Sequence, residues 1–227
     1  MTKRYFITGT DAQVGKTRVS ELLLKSANQR GLATLGLKPI ATGADWLDER
    51  WSHHDARMLM AASSVKLDYA QVNPLLFKED VAPHIAAYQE KKRLTVQSIS
   101  GYCRGTFMTA KADFTVVEGI GGWKVPLNFT ETQADLVKEL KMDAILIVGI
   151  RPGCLNHAIL TAESIEQSGV SIRGWVANSI EPEMPTLNEH IQTLQRMLRA
   201  PLIGVLSYLK ETEDAPENWV NPAVFDS

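Results

Sequence analysis

The chain has 227 residues, 44% hydrophobic and 22% charged, enough to bury a substantial core as one domain. A net charge of −2 provides no broad cationic surface and argues against nucleic acid or anionic membrane as partners. No run of about 18 apolar residues occurs, the N-terminus leaves no room for a cleavable leader, and Cys103 and Cys154 lack metal-ligand or disulfide spacing, so a cytoplasmic protein is expected.

The first predicted strand covers residues 5–8 and runs into Gly9-Thr10-Asp11-Ala12-Gln13-Val14-Gly15-Lys16-Thr17, which opens a helix over 16–29 with Gly31 as its closing cap. A glycine turn between strand and helix, with Lys and Thr directly after the second glycine, has the form of a phosphate-binding loop. Gly15 lets the backbone approach the anion, Lys16 brings a charge to the β- and γ-phosphates, and Thr17 offers a hydroxyl to Mg²⁺. The spacing is a variant, because Thr10 stands where the usual pattern has its first glycine.

A second strand over 33–40 ends in Lys38-Pro39-Ile40-Ala41-Thr42-Gly43, where Lys38 reads either as a second cation beside the loop or as a solvated lysine. Residues 43–95, broken by Trp46, Trp51, Asn73-Pro74 and Pro83, read as an irregular insertion over the site. Within it His53-His54-Asp55 lacks a third metal ligand at useful spacing, leaving Asp55 as a helix cap or an Mg²⁺ partner. The strand over 114–117 ends in Glu118-Gly119-Ile120-Gly121-Gly122-Trp123, an acidic residue placed to hold Mg²⁺ opposite the loop or to cap the next helix or loop.

Further strands are expected over 144–150, 172–177 and 202–206, with helices over 155–167 and 186–198. Their continuous apolar character suits strands covered on both faces, which predicts a P-loop NTPase-like, doubly wound α/β fold with a mainly parallel sheet flanked by helices. Asn178 ends one strand and reads as an adenine contact or a turn residue. His84, His157 and His190 are assigned structural roles. The polar segment 210–227 is expected to be loosely held.

In order and spacing, Tyr-Phe-Ile-Thr-Gly-Thr-Asp, Val-Gly-Lys-Thr, Gly-Leu-Lys-Pro, Val-Glu-Gly-x-Gly-Gly-Trp, Gly-Cys-Leu-Asn-His-Ala and Gly-Trp-Val-Ala-Asn resemble the ATP-dependent dethiobiotin synthetases from Arg4 to about Leu209. The resemblance implies that 7,8-diaminononanoate, CO₂ and ATP give dethiobiotin, ADP and phosphate with Mg²⁺. It implies catalytic roles for Lys16 and Lys38, Mg²⁺ held by Thr17, Asp55 and Glu118, and the diamine at Thr42. ATP would meet Gln13, Val14, Gly15, Lys16, Thr17, Arg18, Asp55, Glu118, Gly119, Ile120, Gly121, Asn178, Ser179, Ser207, Tyr208 and Leu209, with Glu213 or Asp214 toward the ribose. Gly153, Cys154, Leu155 and Asn156 would bind the substrate carboxylate across a homodimer interface.

The sequence departs from the family at Gln13, usually glutamate, at Ser207-Tyr208, usually a Pro-Trp-like pair, and at His190, where a tyrosine is expected. A P-loop small-molecule kinase is the alternative, and a partition-type switch ATPase a weaker one, since Asp11 holds the place of its signature lysine.

Overall fold

The computed structural model describes residues 2–209 and 215–226. Its centre is a six-stranded, all-parallel sheet of order β10-β9-β8-β1-β7-β2. The strands are β1 (Lys3–Gly9), β2 (Thr34–Leu37), β7 (Phe114–Gly122), β8 (Asp143–Ile150), β9 (Ile172–Ser179) and β10 (Leu202–Leu206). Alternate residues of one strand feed two different cores: Phe6, Val117, Leu146 and Val148 face one side, and Tyr5, Ile7, Val116, Ile145 and Ile147 the other. That is why these strands are apolar throughout rather than alternating.

Helices cover both faces, the longest being α1 (Lys16–Gln29), α5 (Val96–Thr109) and α7 (Cys154–Gln167), with α6 (Gln133–Leu140) and α8 (Leu187–Met197) between strands. At the end of α1 the Gly31 and Leu32 N–H groups donate to the carbonyls of Asn28 and Ala27, so Gly31 closes the helix as expected. The helices α5 and α6 are additions to the elements expected from the sequence. Thr95 opens α5 by accepting from the Ser98 N–H, and Thr132 with Asp135 forms a capping box at α6.

The structure corrects three expectations. The predicted strand over 33–40 is two strands, because Pro39 has no N–H to give to a ladder. After Leu37 the chain leaves β7, and β3 (Ile40–Thr42) pairs instead with β6 (Leu75–Phe77) in a second sheet. Asn73 fixes the break by donating from Nδ2 to the Lys38 carbonyl at 2.6 Å.

Residues 43–95 are regular rather than irregular. They form an exposed hairpin of β4 (Asp45–Leu47) and β5 (Arg50–Ser52), then α2 (His54–Ala62), α3 (Tyr69–Val72), β6 and α4 (Pro83–Gln89). Asp48 and Glu49 turn the hairpin with φ of 51° and 61°, the left-handed pair that a two-residue connection needs.

The described part of the tail, 215–226, is docked and not loose. Val220 bridges Gly204, Trp219 Nε1 donates to Ser26 Oγ at 3.1 Å, and Trp219, Val224 and Phe225 are buried against α1 and β1.

Candidate functional site

The carboxyl ends of β1, β2, β7, β9 and β10 converge on a cleft of about 550 Å³, within the range of a small-ligand site. Between β1 and α1 the loop is held from several sides. Val14 is buried in a socket whose walls are Gly9 and Gly149, where a Cβ would come within 2.5 Å and 3.0 Å of the valine methyls. Gln13 and Gly15 take left-handed φ values of 56° and 84°. Lys16 Nζ donates to the Asp11 carbonyl at 2.9 Å, and Asp11 Oδ2 pairs with Arg151 at 2.8 Å. Burial, and after it the Lys38 charge, bring Lys16 down to a pKa of about 8.

Lys38 is 3% exposed and spends its three N–H donors on Glu118 Oε1 at 2.6 Å, Asp55 Oδ2 at 2.9 Å and the Gly119 carbonyl at 3.1 Å. Thr17 Oγ1 donates to Glu118 Oε1 at 2.8 Å. Burial alone would lower the Lys38 pKa, but the two carboxylates overrule it and raise it. Burial would raise Asp55, but the Lys38 ammonium holds it below the usual range. The solvated reading of Lys38 is thereby excluded. His53, not Asp55, caps α2: its Nδ1 accepts from the Asp55 N–H at 3.1 Å, which leaves the Asp55 carboxylate for Lys38.

Glu118 Oε2 is buried with no hydrogen-bond partner among the described residues, an uncompensated acceptor beside the Thr17 hydroxyl. A cation there would satisfy it. No group of three or more His, Cys, Asp or Glu residues placed to hold a metal ion occurs among the described residues. A hydroxyl with two carboxylates suits Mg²⁺, which takes few protein ligands and completes its shell with phosphate and water.

Of the expected residues, Gln13, Gly15, Lys16, Thr17, Arg18, Lys38, Thr42, Asp55, Ile120, Gly121, Asn178, Ser179, Tyr208 and Leu209 line the cleft. Val14 lies behind the loop, and Glu118 and Gly119 reach the cleft through Lys38. Ser207 is exposed and not among the lining residues, because Leu206 before it turns inward at the end of β10.

Gly153, Cys154, Leu155 and Asn156 start α7 outside this chain's cleft. The Cys154 side chain is buried in the core, so only the backbone of that residue is presented. His190 Nδ1 lies 2.8 Å from the Thr186 carbonyl, away from the cleft lining. Glu213 and Asp214 fall outside the described residues.

Sequence reasoning missed Asp80, Met58 and Ile180 in the cleft wall, and Gln133 behind it. Gln133 accepts from the Ile120 N–H and donates to the Gly122 carbonyl, both at 2.8 Å, shaping the loop after Glu118. It had no signal, because one glutamine at a helix start is ordinary in sequence.

Residues 3–216 match the family described as AAA domain. The chain is 47% identical over 207 residues to an ATP-dependent dethiobiotin synthetase of Cellvibrio japonicus, covering 91% of this chain and 90% of that protein. It is 44% identical over 218 residues to an ATP-dependent dethiobiotin synthetase of Escherichia coli K12, covering 96% and 95%. A similar protein of Yersinia pestis is 42% identical over 216 residues, covering 95% and 89%.

Among solved structures, the fold is similar to the septum site-determining protein MinD of Pyrococcus horikoshii, with TM-score 0.56, 17% identity, and 91% and 82% of the two chains covered. It is also similar to the signal recognition particle receptor FtsY of Elizabethkingia anophelis, with TM-score 0.56, 12% identity, and 99% and 64% covered. These two share only the P-loop fold. With identities above 40% across nine-tenths of its length, and with Lys38 lining the cleft beside the phosphate loop and paired to the buried Glu118, the chain belongs to the ATP-dependent dethiobiotin synthetase family.

Proposed function

We propose that the protein carboxylates and ring-closes 7,8-diaminononanoate with CO₂ and ATP, giving dethiobiotin, ADP and phosphate. The observation that carries this reading is the convergence of two buried lysines, Lys16 and Lys38, with Thr17, Asp55 and Glu118 at the head of one phosphate loop. Such a set orients and neutralises oxyanions and needs no covalent nucleophile.

In the reaction, one amine adds to CO₂ and loses a proton to become a carbamate. A carbamate oxygen attacks the γ-phosphorus, expelling ADP, and the second amine attacks the anhydride carbon, expelling phosphate and losing a proton. Lys16 and the loop N–H groups bind the triphosphate, and Lys38 neutralises the carbamate and the transferring group. Thr42 borders the diamine. Thr17, Asp55 and Glu118 would hold Mg²⁺, which supplies charge to the phosphate oxygens. The Asn178 amide, in the cleft wall beside the phosphate loop, would meet the adenine with Ser179, Tyr208 and Leu209.

Because the α7 start lies outside the cleft of its own chain, we assign Gly153 to Asn156 to the partner's substrate carboxylate in a homodimer. No helix among the described residues is long and apolar enough to cross a membrane, and a cytoplasmic setting suits ATP chemistry.

The test is phosphate release by purified protein given ATP, Mg²⁺, bicarbonate and the diamine. The reading requires release that depends on the diamine; release indifferent to it sinks the proposal. In the same assay Lys38→Ala keeps most ATP affinity while turnover falls by about 10²-fold or more, the size of one lost electrostatic contact to a transition state. Equal losses in binding and rate would assign Lys38 to the nucleotide alone.

A further inference from the structure

Asn178 is the last residue but one of β9, in register with Gly149 of β8 and Leu206 of β10, so its backbone is held from both sides. Its side chain reaches back to the phosphate loop, where Nδ2 donates to the Val14 carbonyl at 2.9 Å, a buried bond between residues 164 apart in sequence. A Cβ on Gly15 would lie 2.2 Å from that same nitrogen. Gly15 is therefore needed twice, for its left-handed φ and to admit the Asn178 amide.

A trans peptide is planar, with its C=O and N–H pointing in opposite directions. Holding the Val14 carbonyl therefore fixes where the Gly15 N–H points. The flanking residues do not fix it, since glycine populates several backbone wells with little preference. We infer that Asn178 is a positioning residue for the phosphate loop: it latches the Val14-Gly15 peptide in its anion-binding orientation before the nucleotide arrives. This rests on the reading of the cleft as an ATP site and adds to the base contact assigned there. One amide N–H holds the loop, while the second N–H and Oδ1 remain for the base edge. Base recognition and the phosphate cradle thus share one side chain.

The test uses full-length Asn178→Ala with ATP and with inorganic tripolyphosphate, which has no base, each measured by calorimetry. Tripolyphosphate is expected to weaken by about threefold to tenfold, the worth of one buried hydrogen bond, and ATP by more, because it also loses the base contact. Amide exchange over residues 13–18 is expected to quicken in the ligand-free protein while β8 stays protected. Asn178→Asp, which keeps the shape but sets an acceptor against the Val14 carbonyl, should loosen the same amides at least as much.

Weaker ATP binding with tripolyphosphate unchanged would assign Asn178 to the base alone and overturn the latch. Unchanged exchange over 13–18, or a rise spread across the whole sheet, would overturn it equally. If the unaltered protein binds neither ligand, the ATP-site reading falls by itself, and the exchange data, which need no ligand, still judge the latch.

Discussion

Lys38 and Lys16 lie side by side, and their partners divide the work between them. Lys38 is surrounded by carboxylates and keeps its proton, whereas Lys16, with no carboxylate in direct contact among the described residues, is depressed to about 8. In the ligand-free protein a charged Lys16 costs stability below about pH 8, where folded and unfolded chains both carry the proton. That cost fades as pH rises from about 8 toward 10.5, because the unfolded chain still binds the proton that the folded one has released. A triphosphate placed against Lys16, as proposed, would restore the charge.

We therefore expect ATP, measured without Mg²⁺, to bind with proton uptake above about pH 8, its affinity falling by up to about tenfold per pH unit. Calorimetry in buffers of different ionisation heat reads this directly; binding without proton uptake near pH 9 (roughly one unit above the shifted value) would remove Lys16 from the phosphates. The identities of Lys16, Lys38 and Glu118 were legible from their places after apolar strands. That Lys38 bridges Glu118 and Asp55 was not, since Asp55 comes from a helix whose cap is His53 and no local pattern announces the pairing.

At the scale of elements, the segment least valued in the sequence does structural work. Trp219 is buried against Gly204, ties to Ser26 through its indole N–H, and shares the second core with Phe225, whose ring sits 5.2 Å from Phe114. Trp219→Ala should destabilise the protein by about 3–5 kcal/mol, the usual loss for truncating a buried aromatic. Urea unfolding followed by circular dichroism measures it, and a loss below about 1 kcal/mol would show the docking to be incidental. The tail looked loose because its acidic and proline residues outnumber its large apolar ones, which fall in two short pairs, Trp219-Val220 and Val224-Phe225, and show no period. Similarly, the break at Pro39 was visible as a residue but not as a change of sheet, because the choice between β7 and β6 as partner depends on what packs 35 residues later.

For the whole molecule, the proposed homodimer, in which the α7 start serves the partner's cleft, predicts sites built from two subunits. Lys38→Ala and Gly153→Val, the latter straining a helix start at φ 88°, should each be inactive alone. Allowed to exchange subunits, they should recover about a quarter of the full rate, since half of randomly paired dimers are hybrid and each hybrid holds one intact site. No recovery in confirmed hybrids would place the whole site in one chain.

The main-sheet strands, the helices α1, α7 and α8, the phosphate loop and the family resemblance were determined by the sequence itself, because apolar period, glycine spacing and strand-end polarity are local properties. Only the tertiary structure decided that Asn178 grips the Val14 carbonyl, that Lys38 links two acids from separate elements, and that the tail seals the sheet edge. Each of these is a contact between residues 16 or more apart in sequence, and such contacts are set by how the layers pack rather than by any short run of residues.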